Sequence, residues 1–454
     1  MKRVVIVGGG ISGLAAAFYL RRARPDLAIL LLEARDRMGG VISTQRRDGF
    51  VVEGGPDSFL IQKPWALQLC LDLGISERLI AANAANRKIY VVSGGRLRPL
   101  PPEMMMGAPT KPGLLLKSDL ISWPGKIRMA LDLVLPRGPE GQDESLGDFI
   151  TRRLGREALE KIADPILGGI YLADARRLSL AATFPRLREL ERAHRSLILG
   201  LRREAKAAGE ERSSPFRTFP TGMEELVAAL ECALAGVELR RGRRVEAVTR
   251  SLQVSAGDLR IAGDAVIVAM PPPAAAEILR PNLRDLAEAL DTIPSVSSAT
   301  ISLAFRAPRT RLELDASGFV VARGERRRIR ACSWSSCKFP LRAPEGSLLV
   351  RCFVGGEESE ELLARTDEEL IGIAREELAE LMGLDESPCL ASVSRWPKAN
   401  PILEVGHAEK LSRVESVLDT APRLFLTGAG YRGVGIPDCV RDARNVVQRV
   451  AAVL

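Results

Sequence analysis

The sequence predicts an α/β fold: a split Rossmann-like nucleotide-binding domain, a mixed-sheet domain beside it, and a helical insertion. Three observations predict it. The first forty residues hold a strand, a glycine loop, a helix and a second strand in that order. Fully apolar strands of the same kind, Ala265–Ala269 and Leu424–Thr427, return only after long excursions. Ahead of them, prolines at 99, 101, 102, 109, 112, 124, 136 and 139 break the chain into short helical pieces. The expected boundaries are 1–86, 213–280 and 415–454 for the nucleotide-binding domain, 87–98 and 281–414 for the mixed-sheet domain, and 99–212 for the insertion.

Each element has a local reason. Val4-Val5-Ile6-Val7 is apolar and β-branched, which suits a strand buried on both faces. Gly8-Gly9-Gly10-Ile11-Ser12-Gly13 follows at once and fits G-x-G-x-x-G, and Leu14 to Arg22 is helix-forming. Gly8 permits a tight turn, Gly10 lets backbone approach a pyrophosphate, and Gly13 lets the helix pack close to the strand. The helix N-terminus offers free N–H groups to phosphate. The second run, Ala28–Leu32, ends in Glu33, twenty residues after Gly13, where a carboxylate can accept from a ribose hydroxyl. Glycine clusters alone are weak signals, but the whole βαβ unit with its acidic terminus is a specific one.

Glu33-Ala34-Arg35-Asp36-Arg37-Met38-Gly39-Gly40 then spells E-x-x-x-R-x-G-G. This resembles the FAD-binding signature of the flavin amine oxidase superfamily. The resemblance implies FAD, held by Gly8, Gly9, Gly10, Ile11, Ser12, Gly13, Glu33, Ala34, Arg37, Gly39, Gly40 and Val41.

Val41–Thr44 and Phe50–Glu53 read as strands around a turn at Asp48-Gly49, and Gly54-Gly55-Pro56-Asp57-Ser58-Phe59 as a loop. A helix from Trp65 to Leu73 stops at Gly74. Lys88–Val92 is a strand with a hairpin turn at Ser93–Arg96, and Arg87 stands just before it. Helices are expected at 126–135 and 145–154; Met104–Met106 and Leu114–Leu116 read as core, with a rim against a membrane surface as the alternative. A helix opens near Thr221 and runs to Leu234, and strands follow at 237–239 and 245–248. Strand-rich sequence runs from 298 to 353, with a helix at 368–382 and a strand near 392–396. After Leu424–Thr427 come Gly428-Ala429-Gly430 and a final helix with Pro437 in its first turn and Val440, Ala443, Val447, Val450 and Ala451 on one face.

Composition narrows the function classes. Sixty-five Lys and Arg against 57 Asp and Glu give a net charge of +8. The basic residues are scattered and not interleaved with aromatics, so nucleic acid is not an expected partner. Seven cysteines show no C-x-x-C spacing, which excludes zinc and thioredoxin chemistry, and no metal is expected. The odd count points to a reducing cytoplasm. The first strand begins at residue 4, leaving no leader to cleave, and no run approaches the roughly 18 apolar residues of a membrane span. With only His194 and His407, and no triad or carboxylate pair, no catalytic side chain stands out. The difficult chemistry then belongs to a cofactor.

Further stretches sharpen the resemblance. They are Gly168-Gly169-Ile170-Tyr171, Leu178-Ser179-Leu180, Phe184-Pro185, His194-Arg195-Ser196-Leu197-Ile198, Thr221-Gly222-Met223, Arg395-Trp396-Pro397 and Gly433-Val434-Gly435-Ile436-Pro437-Asp438-Cys439. With the G-P-D-S-F loop, they resemble bacterial, oxygen-dependent, FAD-containing protoporphyrinogen oxidases along essentially the whole chain. The resemblance implies that Gly55, Pro56, Asp57 and Ser58 pass the flavin ring and that Val245, Ala429, Val434, Gly435 and Ile436 also touch FAD. It implies a final helix aimed at the flavin pyrimidine, where its dipole favours negative charge. Arg87 would grip a substrate propionate, Gly169 would bring backbone to the macrocycle, and Lys63 and Phe339 are further candidates; the mixed-sheet domain would bind the substrate. Asp57 stands where animal relatives carry arginine. The implied reaction takes six electrons from a porphyrinogen, protoporphyrinogen IX first and coproporphyrinogen III as the alternative, and passes them to molecular oxygen. An amine oxidase or a phytoene-type desaturase is a more distant alternative. The amine oxidase needs an aromatic cage that four Tyr and four Trp could barely build. Peripheral contact with the inner face of the cell membrane and a homodimer complete the expected partners.

Overall fold

The structure is a computed structural model and describes residues 1–139, 141–207 and 214–454. The expected boundary at 212/213 lies outside the described residues.

A five-stranded parallel sheet forms one body, in the order Glu238–Arg240, Ala28–Leu32, Arg3–Val7, Ala265–Ala269, Leu424–Thr427. Its strands come from three distant parts of the chain. Alternation sends Val4 and Ile6 to one face and Val5 and Val7 to the other, and both faces are buried. That is why the run is apolar throughout. Helices Ile11–Ala23, Glu224–Ala233 and Ile436–Val453 cover the first face through Leu14, Leu226, Val440 and Val447. Helices Pro272–Leu279 and Arg284–Asp291 cover the second. Two expected strands are shorter than read: Val41–Thr44 contributes only Thr44, which opens Thr44–Arg47, and Val245–Val248 only Ala247–Val248. The preceding residues are spent on turns that serve the glycine loop.

A seven-stranded mixed sheet forms the second body, in the order Leu390–Pro401, Ser295–Arg306, Ser347–Gly355, Ala331–Ser333, Ala316–Val321, Lys88–Ser93, Arg96–Pro99. All its pairings are antiparallel except Lys88–Ser93 with Ala316–Val321. Helix Asp367–Met382, opened by a capping box between Thr366 and Glu369, packs on one face through Leu370, Ala374 and Leu378.

Between the two bodies in sequence lies a helical region. Ser122, Ser145 and Ser179 each cap a helix by accepting from the N–H three residues on. Arg153 and Asp132, both fully buried, fix its centre. Asp132 accepts from Arg153 Nε (2.6 Å), the Ser196 hydroxyl (2.5 Å) and the Ile198 N–H (2.9 Å). The H-R-S-L-I run is therefore the lining of a buried ion pair. Leu159–Gly168 winds as a π-helix containing Pro165 and leads into Gly169. On the outside, Trp123, Ile127, Leu131 and Val134 are exposed at successive helical turns, with Leu116 exposed as well. Met104–Met106 pack against the local core and Leu115 is inside it. Among the described residues no helix is long and apolar enough to cross a membrane, and no cluster could hold a metal ion.

Candidate functional site

The glycine loop leaves the C-terminal edge of the parallel sheet, where strand order reverses and ligands of such sheets lie. A Cβ on Gly13 would sit 1.9 Å from the Gly8 carbonyl, so the helix packs on the strand only because that position is glycine. At Gly10 the opposite holds: an added Cβ would meet only Gly40 Cα, at 3.9 Å. Gly10 and Gly39 form an isolated bridge, and the Gly39 N–H donates to Gly9 O at 2.8 Å. Two glycine turns thus face each other across a narrow trough, and a side chain at Gly10 would fill it. No side chain caps the helix that starts at Ile11 and Ser12, which leaves its first N–H groups for an anion. The buried Glu33 carboxylate accepts from the N–H groups of Gly9 (2.7 Å) and Arg35 (2.9 Å) and keeps lone pairs for a sugar hydroxyl. These residues fit a dinucleotide.

Arg37 is a correction. Its guanidinium donates to the carbonyls of Met38 (3.2 Å), Ile42 (2.9 Å) and Gly40 (2.8 Å), so it braces the glycine turn from behind instead of reaching a ligand. Burial lowers its pKa, though a guanidinium stays charged. A cavity of about 500 Å³ lies beside it, walled by the pairs Arg46–Glu224, Arg78–Glu225 and Arg241–Glu231. Its charges satisfy one another. Sequence reasoning missed Arg35, which donates to Gly40 O (3.1 Å) and lies 5.4 Å over the Trp396 ring. Ala34 is exposed beside it, and Val245 is buried in the core of the second sheet face.

The Gly54–Phe59 loop passes the other end of the trough. A Cβ on Gly55 would lie 1.9 Å from the Val41 carbonyl, so this loop and the glycine turn touch through backbone. The mixed sheet grips the loop from its far side. Trp396 Nε1 and the Thr300 hydroxyl both donate to Gly54 O at 2.8 Å, and Arg351 donates to Glu53 O (3.2 Å) and Gly55 O (2.6 Å). Asp57 accepts from Lys338 Nζ (2.9 Å) and the Ser58 hydroxyl (2.7 Å) and lies 3.3 Å from Arg351. Burial alone would push the Asp57 pKa up, but the Lys338 and Arg351 charges outweigh it and hold the group well below the usual carboxylate range. None of these grips was legible, because each partner lies hundreds of residues away.

The C-terminal motif meets the same region. Ala429 and Ile436 pack in the first core, Val434 packs against the helical region, and Gly435 precedes a helix without a side-chain cap. Asp438, in the first turn, is held by Lys63 at 2.7 and 2.9 Å, with Arg441 3.6 Å away. Burial and then the Asp438 charge push the Tyr171 hydroxyl upward in pKa, which places the end of the π-helical segment within electrostatic reach. Three distant segments converge here.

Of the substrate candidates, Arg87 is exposed at the start of its strand. Its loop is tied to the short helix Ser335–Lys338 by Asn83 N–H to Lys338 O (2.8 Å) and Asn86 Nδ2 to Cys337 O (3.0 Å). Gly169 is exposed, and an added Cβ there meets nothing within 4 Å. Lys63 is 45% exposed but engaged by Asp438. Phe339 is enclosed, with Lys338 and Arg342 over its ring at 5.1 and 5.7 Å. His407 is buried with Nε2 on Tyr431 O (2.8 Å), and burial lowers its pKa, so it stays neutral.

The sequence profile of the flavin-containing amine oxidoreductases matches residues 11–451. The coproporphyrinogen III oxidase of Bacillus subtilis is 37% identical over 98% of this chain and 97% of its own length. That of Propionibacterium freudenreichii is 37% identical over 98% and 90%. The chloroplastic protoporphyrinogen oxidase of Nicotiana tabacum is 30% identical over 99% and 85%. A crystal structure from Exiguobacterium sp. 255-15, described as a candidate protoporphyrinogen oxidase, superposes with a TM-score of 0.90 at 34% identity, covering 100% of this chain and 99% of that one.

Proposed function

The chain belongs to the flavin-containing amine oxidoreductases, and on that premise we propose that it oxidises a porphyrinogen, with coproporphyrinogen III the preferred substrate. The enzyme is an FAD-dependent oxidoreductase; bound FAD supplies the hydride acceptor. The proposed cofactor contacts follow the trough: Gly8–Gly13 at the pyrophosphate, Glu33 and Ala34 at the ribose, Val245 toward the adenine, Gly39–Val41 and Gly55–Ser58 along the ring, and Ala429 and Val434–Ile436 at its pyrimidine end. Arg37 serves by holding the turn. The seven-stranded sheet is the proposed substrate domain, with Arg87 as a carboxylate anchor and Gly169 as an open backbone wall. Oxygen is the proposed acceptor, used once for each electron pair.

The observation that carries the reading is the open trough at Gly10, joined to a clamped loop on a chain similar along its whole length to named porphyrinogen oxidases. The order of substrates departs from the first expectation, protoporphyrinogen IX. Both bacterial relatives at 37% identity are coproporphyrinogen III oxidases, against 30% for the tobacco protoporphyrinogen oxidase. Side-by-side kcat/KM values, read from porphyrin fluorescence, test it. Coproporphyrinogen III should be turned over more efficiently. A preference for protoporphyrinogen IX reverses the order, and no turnover of either removes the reading.

Peripheral membrane contact is assigned to the exposed stripe of Trp123, Ile127, Leu131 and Val134, at 63%, 63%, 44% and 68% exposure. Lys126 Nζ lies 4.6 Å over the Trp123 ring, and Lys117 follows the exposed Leu116, a pairing of tryptophan and cations that suits an anionic bilayer surface. Phosphatidylglycerol vesicles should sediment the protein, and the double variant W123E/I127E should stay in the supernatant. Equal sedimentation of both would place the contact elsewhere.

A further inference from the structure

The loop expected beside the flavin ring is backed by charges that do not cancel. Arg342 Nη2 lies 3.3 Å from Glu53 Oε1, Arg351 Nη2 lies 3.3 Å from Asp57 Oδ2, and Lys338 Nζ lies 2.9 Å from the same carboxylate. Arg351 also joins the two acids through the Glu53 and Gly55 carbonyls. Three cations thus face two carboxylates, a surplus of one positive charge among the described residues. It is deeply placed: Arg342 is 1% and Arg351 4% exposed. Two guanidinium N–H groups, Arg342 Nη1 and Arg351 Nε, are buried and have no acceptor.

A buried, unmatched cation is unfavourable unless an anionic partner enters the site during function. The helix at Ile436 is poorly suited to supply positive charge alone, because Asp438 sits in its first turn. Hydride uptake converts a neutral oxidised flavin into an anion of charge −1, matching the surplus of +1. We infer that the Glu53–Arg342–Arg351–Asp57–Lys338 network raises the reduction potential of the bound FAD by stabilising the charge it gains on reduction. These residues act through the loop they hold and are positioning residues. The inference rests on the FAD reading above and extends it to the residues that make the flavin a ready hydride acceptor.

The test uses holoenzyme and two readouts besides turnover: the midpoint potential, from anaerobic dye-coupled reduction, and the affinity for sulfite, whose flavin adduct also places negative charge on the ring. Lys338→Met removes the surplus, Asp57→Asn increases it, and Lys338→Arg keeps it. Lys338→Met should lower the potential and weaken sulfite binding by about tenfold. Asp57→Asn should shift both readouts the other way, and Lys338→Arg should resemble the parent. The inference is overturned if both charge variants keep FAD with unchanged potential and sulfite affinity, or if both shift in one direction. It is also overturned if Lys338→Met changes only the KM for porphyrinogen, which would make the surplus a substrate-carboxylate site. Should Lys338→Met lose FAD, Asp57→Asn decides alone; loss from both, with far-UV dichroism intact, makes the network structural. A parent protein without FAD removes the cofactor reading instead, and is seen in its absorbance before any variant is made.

Discussion

Gly10 and Gly55 are glycines for opposite reasons, and one substitution at each separates function from folding. A side chain at Gly10 enters open trough, whereas one at Gly55 runs into the Val41 carbonyl at 1.9 Å. Gly10→Val should therefore yield a folded protein with the parental melting temperature and no absorbance near 450 nm. Gly55→Ala should lower stability by about 1–3 kcal/mol through overpacking, visible as a lower urea midpoint even without flavin. Glycine spacing and an acidic strand end have a fixed physical meaning, so Gly10, Gly13 and Glu33 were legible in the sequence. Arg37 was not, because a motif position does not reveal whether a guanidinium faces a ligand or its own backbone carbonyls. Its neighbour Arg35, read only as a spacer, covers Trp396.

Among the elements, the helical region shows where sequence reading stops. Proline breaks and helix-forming runs located its helices, and Ser145 stands as the expected cap one residue before Leu146. The H-R-S-L-I run was recognisable as a landmark, yet its role depends on Asp132, which lies 64 residues before Ser196. No local pattern announces that pairing. Removing one partner of a buried ion pair strands the other charge, at about 3–5 kcal/mol. Asp132→Ala should accordingly destabilise the region by that order, measured by urea unfolding, and expose it to proteolysis between residues 100 and 200 before the parallel sheet is cut.

For the whole molecule, the split was legible and the joint was not. Returning apolar strands announced that distant segments share one sheet. The joint is a set of hydrogen bonds from Trp396, Thr300 and Arg351 onto the loop at 53–57, and no period or composition marks it. Because the proposed cofactor lies along this joint, removing FAD should loosen both bodies together. Calorimetry of the apoprotein should show a lower melting temperature, and FAD at a hundredfold excess over its Kd should restore about 2.7 kcal/mol. The sheet also has a consequence in time. The strand Leu424–Thr427 and the helix Ile436–Val453, which closes one sheet face, are the last elements of the chain. At about 5–20 residues per second, a ribosome needs roughly 20–90 s to reach them. For all of that interval the glycine loop exists without its closing wall. Cofactor capture is thus an event after release, and messages truncated before codon 424 should give chains that never turn yellow.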